Sequence, residues 1–188
     1  MTSRERLRAV IADPASGIDD PDPRVRRLAA GALVDPVLIE MLTSDPDASV
    51  RRQCAETLGR SGMDVRIELE AALLDPDTTV REAAANALGE IADPESLDVL
   101  IAVATANSED RLLREAAVAS LGAIGDERAV VTLLELIETG PPQVRRRCVP
   151  ALSVFEGEAV EAALRAAAGD RNPMVREAAE MVVGRTTG

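Results

Sequence analysis

The chain has 188 residues, 46% of them apolar, a formal net charge of −12 and an isoelectric point near 4.5. That length suits one ordinary domain or a short array of stacked repeats, and 1% aromatics, a single Phe155, leaves a core of Ala, Leu and Val that suits close helix packing better than a mixed sheet. The acidic balance argues against phosphate-backbone binding as the main task, which needs a basic patch.

The opening MTSRERLRAV lacks a basic-then-apolar leader, and no apolar run approaches the roughly 18 residues that span a bilayer. The expectation is a cytoplasmic protein without a membrane partner. Arg4 to Ile11 reads as a helix whose Leu7, Val10 and Ile11 share a face, with Thr2 and Glu5 spaced as a capping box. Ala12 to Pro23, with Asp-Pro three times, reads as the longest loop and a candidate mobile segment.

From there one register recurs: VRRLAAGAL from Val25, VRRQCAETL from Val50, VREAAANAL from Val80, LREAAVASL from Leu113, VRRRCVPAL from Val144 and VREAAEMVV from Val175. The anchors are 25, 30, 33, 31 and 31 residues apart, a repeat period for paired helices. Offsets 0, 4, 7 and 8 from each anchor lie on one helical face and predict the buried stripe. Shorter partner helices are predicted at Pro36 to Leu42, Met63 to Leu74, Glu95 to Ala104, Glu127 to Ile137 and Glu158 to Ala168. Asp35-Pro36 and Asp93-Pro94 supply start signals, and Gly59, Gly89, Gly122 and Gly184 sit where a helix end tolerates glycine. Six helix pairs result, over approximately 3–34, 35–60, 63–91, 94–124, 126–155 and 157–185, as a single domain over 1–188.

The period, the two helices per unit, the DPxxxVR starts and runs such as ALGEIADPESLDVLIAVA together resemble HEAT repeats, in particular the subgroup similar to phycobilisome lyase subunits. The resemblance covers roughly Ser3 to Arg185. It implies an all-α fold, a right-handed α-α superhelix (solenoid) with the second helices on the concave side. Relatives of this kind include scaffolds, transport receptors, lyases and a few enzymes, so the fold alone does not choose a function.

An Arg follows every anchor: Arg26, Arg51, Arg81, Arg114, Arg145 and Arg176. Four of them have an Asp six residues earlier, Asp20, Asp45, Asp75 and Asp170, placed to accept backbone N–H groups and meet an arginine fork. HEAT resemblance implies a stacked Asp–Arg ladder between neighbouring repeats, and a structural role is expected over a ligand-binding one. Ser108 and Thr139 replace the Asp in repeats four and five, where the ladder should break.

Chemistry is hard to find in the rest of the chain. No His is present, which removes His-based triads and most zinc or iron sites and speaks against deoxyhypusine hydroxylase, whose HEAT family needs paired His-Glu motifs. Cys54 and Cys148 share a register offset and read as small buried hydrophobes, without zinc spacing or a disulfide. Gly157 and Gly169 are isolated turn residues, and Asp19-Asp20 and Glu109-Asp110 lack calcium-loop spacing. Pro150 should bend the fifth second helix near Arg146, as a tolerated kink or as a change in the curvature of the binding face. No metal, cofactor or catalytic residue is expected.

Offsets two, six and ten from the anchors are expected to stay exposed on the concave face. They give Arg27, Arg52, Glu56, Arg60, Glu82, Asn86, Glu90, Glu115, Arg146 and Glu177 as candidate partner-binding residues, basic in the first two repeats, acidic in the middle and mixed at the end. The expected function is a non-enzymatic scaffold or adaptor that binds a protein or peptide there. The alternative is a lyase-type or chaperone-like accessory protein acting on a cofactor-bearing protein. Nucleic acid is disfavoured as a partner. Val182 and Val183 end the last stripe without a polar cap, so the chain is expected to be a monomer or a weak homodimer through that C-terminal edge.

Overall fold

A computed structural model of the chain describes residues 2–106 and 110–186, the side chains of 183, 185 and 186 excepted. Ser108 and Glu109 of the sequence reading, with the side chains of Val183 and Arg185, lie outside the described residues. Among the described residues there are twelve α-helices and no strand. The chain divides into two compact units, Met1–Ile91 and Ala92–Gly188. The division falls between the third and fourth repeats as the register delimits them.

The first unit holds α1 (Ser3–Ala12), α2 (Pro23–Ala32), α3 (Val37–Ser44), α4 (Ala48–Gly59), α5 (Arg66–Ala72) and α6 (Thr78–Ile91). The second holds α7 (Leu97–Thr105), α8 (Arg111–Ile124), α9 (Val130–Thr139), α10 (Pro142–Leu152), α11 (Glu158–Ala167) and α12 (Pro173–Thr186), with single 3-10 turns at Pro94–Ser96 and Glu127–Ala129 leading into α7 and α9. In each unit first and second helices pair, and the second helices also pack on one another: α4 lies against α2 and α6, and α10 against α8 and α12.

Helix starts follow local chemistry. Thr2 and Glu5 form the capping box, the Glu5 N–H donating to Thr2 Oγ1 and the Thr2 N–H to Glu5 Oε2. Asp22, Asp47 and Asp77 accept the N–H of Arg24, Ser49 and Thr79, and Asn172 accepts that of Met174, each satisfying a donor that the first helical turn leaves open. Asp35 accepts from Val37, and Asp93 from Glu95. After α8 the chain turns through Gly125 at φ 68°, and Ala92 makes the corresponding turn after α6 at φ 56°.

The buried stripe follows the register. Val25, Val50, Val80, Val144 and Val175 are fully or almost fully buried, as are Ala29, Cys54, Ala84, Ala117, Cys148 and Ala179 four residues on. Leu58, Leu88, Leu121 and Leu152 complete it eight residues on, each burial stabilising by roughly 1.5–3 kcal/mol. Leu113 is only half-buried.

Three details depart from the sequence expectation. Ile11 is 73% exposed, because α1 buries Val10 against Val25 and Ala29 with Leu7 and Ile18 at the edge. The Ala12 to Pro23 segment is built, not bare: Pro14–Gly17 is a 3-10 turn, Gly17 is buried against Val10, and Arg6 Nη1 lies 3.1 Å from Asp20 Oδ1. Two of the glycines at helix ends, Gly59 and Gly122, are packing residues. A Cβ on Gly59 would fall 2.7 Å from Ala87 Cβ, and one on Gly122 would fall 2.6 Å from Ala151 Cα. Both glycines let the next second helix approach at backbone distance.

Candidate functional site

Two sets of polar residues decorate the second helices: the arginine after each anchor, and the exposed offsets. The first set is engaged in a repeated geometry. Arg26 directs Nε and Nη2 to the two oxygens of Asp45 at 2.7 and 2.8 Å, and Nη1 to the Asp20 carbonyl at 2.8 Å. Arg51 does the same with Asp75 at 2.7 and 2.9 Å and the Asp45 carbonyl at 2.8 Å. Arg145 holds Asp170 at 2.8 and 2.7 Å and the Gly140 carbonyl at 2.8 Å. Each fork thus grips its own repeat through a carbonyl and the following repeat through a carboxylate, the bidentate match that guanidinium geometry favours.

The aspartates are shaped from the other side by backbone donors: Asp20, Asp45, Asp75 and Asp170 accept the N–H two residues ahead. Arg145 holds the Asp170 carboxyl below its ordinary range by hydrogen bonding, against the opposing effect of burial. For Asp75 burial pushes upward, but the Arg51 fork and the Asp77 N–H outweigh it and the net direction is down. The forks raise Arg26, Arg51 and Arg145 in return.

At the fifth repeat the pattern changes. Thr139 donates its hydroxyl to Glu135 within α9, and Arg114 Nε turns to the Ala104 carbonyl at 3.1 Å. Arg81 Nη1 donates to the Asp75 carbonyl at 2.7 Å, and Arg176 Nη1 to the Asp170 carbonyl at 2.8 Å.

The exposed offsets divide into pairs and singles. Arg27, Asn86 and Glu177 are exposed and Glu82 is half-buried. Arg52 donates to Glu56 at 2.8 Å, and Arg60 lies 3.7 Å from Glu90. Glu115 departs from its expected place on the free face. It is 9% exposed and meets Arg146 of α10 at 3.3 Å, because α8 and α10 pack closely there. The simple division into basic and acidic repeats is therefore crossed by internal pairs.

Among the described residues a groove opens on these helices in each unit. In the first, Arg27, Ser49, Arg52, Gln53 and Glu56 line about 300 Å³ between α2 and α4. In the second, α10 and α12 enclose about 460 Å³. Arg146, Arg147 and Pro150 form one wall, and Met174, Glu177, Met181 and Val182 the other. Met174 and Met181 are 55% and 61% exposed, and Arg147 Nε is buried without a hydrogen-bond partner among the described residues. Pro150 is exposed, in the last turn of α10.

Burial pushes both thiols, Cys54 and Cys148, up to about 12, so each is neutral and unreactive at ordinary pH. Among the described residues no three His, Cys, Asp or Glu side chains converge in a metal-binding group, and no helix is long and apolar enough to cross a membrane. The sequence reading missed the helix caps two residues after each ladder aspartate, although the DPD spacing at Asp45-Pro46-Asp47 and Asp75-Pro76-Asp77 marks them. It also missed Arg6, which no repeat pattern could reveal.

Comparison with known proteins bears on the fold. A family profile described as HEAT repeats matches residues 36–111 and 68–153. No curated protein sequence matches the chain. Among solved structures, one chain of the CpcE–CpcF complex of phycocyanin lyase from Nostoc sp. PCC7120 is similar with a TM-score of 0.67 and 24% identity, over 98% of this chain and 76% of that one. Human deoxyhypusine hydroxylase is similar at 0.54 and 26%, over 97% and 74%. A designed armadillo repeat protein in complex with the peptide (KR)4 is similar at 0.57 and 15%, over 91% and 97%. These likenesses place the chain in the fold class of helical-repeat solenoids.

Proposed function

The chain belongs to the HEAT-repeat family, and from that premise we propose that it is a non-enzymatic interaction module holding a protein or peptide on its second helices. The observation that carries this reading is the groove between α10 and α12. Exposed methionines are adaptable contact residues, and Met174 and Met181 stand opposite Arg146 and Arg147 across it. A segment alternating acidic and aliphatic residues fits both features, with carboxylates on the arginine wall and aliphatic groups on the methionine wall. The groove between α2 and α4, with Arg27 and Arg52, would favour the same charge in a ligand.

A labelled (Glu-Leu)4 peptide tests this against a (Lys-Arg)4 control. With a net charge of −12, diffuse electrostatics alone would favour the basic peptide. The expected result is saturable binding of the acidic peptide, weakened by Arg147→Glu and by Met181→Asp at unchanged helicity. Preference for the basic peptide, or indifference to both substitutions, refutes the groove as the binding surface.

A second reading is an accessory protein acting on a cofactor-bearing partner, favoured by the similarity to the phycocyanin lyase complex. A chain with one Phe and no Trp or Tyr is nearly silent in the near ultraviolet, so a bound pigment in the purified protein would dominate its spectrum. A flat visible spectrum before and after incubation with phycocyanin would count against this reading.

A further inference from the structure

Arg27 and Arg52 hold the same position on neighbouring second helices, two residues after the anchors Val25 and Val50. Their helices, α2 and α4, pack against each other, and both side chains line the groove of about 300 Å³ between them. Arg27 is exposed and makes no hydrogen bond or ion pair among the described residues. Arg52 directs Nε to Glu56 Oε1 at 2.8 Å along its own helix, an exposed pair of the weak kind, and its Nη1 and Nη2 donate to nothing among the described residues. The other donors of the lining are spent internally: Ser49 Oγ on Asp47 at 2.5 Å and Gln53 Nε2 on Thr57 Oγ1 at 3.4 Å. Every lining residue is polar. The next position in the row, on α6, is Glu82, so the basic stretch is two arginines long.

We propose that Arg27 and Arg52 together hold one phosphoryl group, carried on a phosphoserine or phosphothreonine of a partner polypeptide. A phosphomonoester brings close to two negative charges and three acceptor oxygens, enough to engage both guanidiniums, whose forks match such oxygens. A carboxylate brings one charge and two oxygens, no more than Glu56 already offers Arg52. A small metabolite fits poorly, because sites for small molecules are mostly apolar and this lining has no surface for an organic skeleton. The rest of the affinity must come from contacts along the helices, which a polypeptide can make. Nucleic acid and anionic membranes fit poorly too. They present runs of phosphates to a chain of net charge −12, and repulsion outside the two arginines opposes them. The proposal rests on the reading that the second helices hold a polypeptide, and it is independent of the groove between α10 and α12.

The test titrates the intact, isotopically labelled chain with the peptide Ala-Gly-phosphoserine-Gly-Ala and follows the Nε–H signals of Arg27 and Arg52 by NMR. Both should shift saturably, with affinity about tenfold above that for the same peptide carrying Ser or Glu. Arg27→Gln and Arg52→Gln should each weaken binding by about tenfold, the worth of one charge-assisted contact. Glu56→Gln should tighten it by about threefold, since it removes a competing carboxylate of an exposed pair. All three variants should melt with the wild type. The methyl signals of Met174 and Met181 should stay still; they report the other groove, so its success or failure with (Glu-Leu)4 is read separately. Inorganic phosphate should bind about tenfold more weakly than the phosphopeptide, and a thymidine octanucleotide should leave both arginines unshifted. Equal affinity for the phosphoserine, Ser and Glu peptides, indifference to both arginine substitutions, or weakening by Glu56→Gln overturns the proposal. Phosphate as tight as the phosphopeptide, or a saturable response to the octanucleotide, would put a different occupant there and overturn it equally.

Discussion

The two units couple their repeats differently. In the first, Arg26 and Arg51 grip consecutive aspartates, Asp45 and Asp75. In the second, the fork is missing between α8 and α10, where Thr139 stands in the acid's position and Arg114 bonds a carbonyl of its own repeat. That junction keeps close packing through Gly122 on Ala151 and gains an ion pair on the helix face, Glu115 to Arg146. The difference teaches that the ladder is one polar fastening among several. Apolar packing sets the approach of neighbouring helices, and the polar link can move from loop to helix face when the loop acid is absent.

The comparison can be broken at its foundation first. Leu88 and Leu121 occupy the same offset, fully buried, one in each unit. Truncation to Ala should cost roughly 2–5 kcal/mol at either site. Chemical denaturation should register both; a loss at only one would show that packing is not the shared basis. In repeat arrays such a loss spreads to neighbouring repeats, so amide exchange should accelerate in adjacent helices as well.

Arginine truncation probes the difference itself. Arg51→Ala strands the mostly buried Asp75 carboxylate and should cost about 3 kcal/mol, whereas Arg114→Ala removes a bond to a carbonyl and should cost about 1 kcal/mol. Equal losses would mean that the forks do not distinguish the units. Acid should sharpen the same contrast. The folded carboxyls of Asp75 and Asp170 lie below their ordinary value of 3.8, so their stabilisation is present above that pH and fades as pH falls through the lowered folded value. Wild type should therefore lose stability below about pH 4, and Asp75→Asn should flatten part of that slope in a pH series of melting curves. The smallest expected effect is a gain: Thr139→Asp should draw Arg114 into a fork and stabilise the second unit by about 1 kcal/mol, and an unchanged melting temperature would show that the Ala104 bond already satisfies it.

Much of this organisation is legible in the chain itself. Anchors and offsets predict which faces are buried because a helix repeats every 3.6 residues whatever its surroundings. Leu58, Leu88, Leu121 and Leu152 follow that rule, and the Thr2–Glu5 box and the Asp35 and Asp93 starts are equally local. Partners across repeats are less legible. The spacing of an aspartate six residues before an arginine does not say by itself which repeat's arginine it meets; the HEAT resemblance implied a ladder between neighbours, and Arg26, Arg51 and Arg145 find their carboxylates in the following repeat, 19, 24 and 25 residues away, while their Nη1 atoms stay within their own. Glu115, three-dimensionally facing Arg146, was indistinguishable from its exposed counterparts Arg27, Arg52 and Glu177.

The sequence by itself determined the all-α class, the register, the buried stripe and the helix starts, because these depend on contacts within a few residues. Only the tertiary structure decided the geometry of each Asp–Arg fork, that Gly59 and Gly122 are points of backbone approach, and that Glu115 is buried. Those properties depend on what the neighbouring helix brings within a few ångströms, which is set by packing between repeats rather than by spacing along one of them.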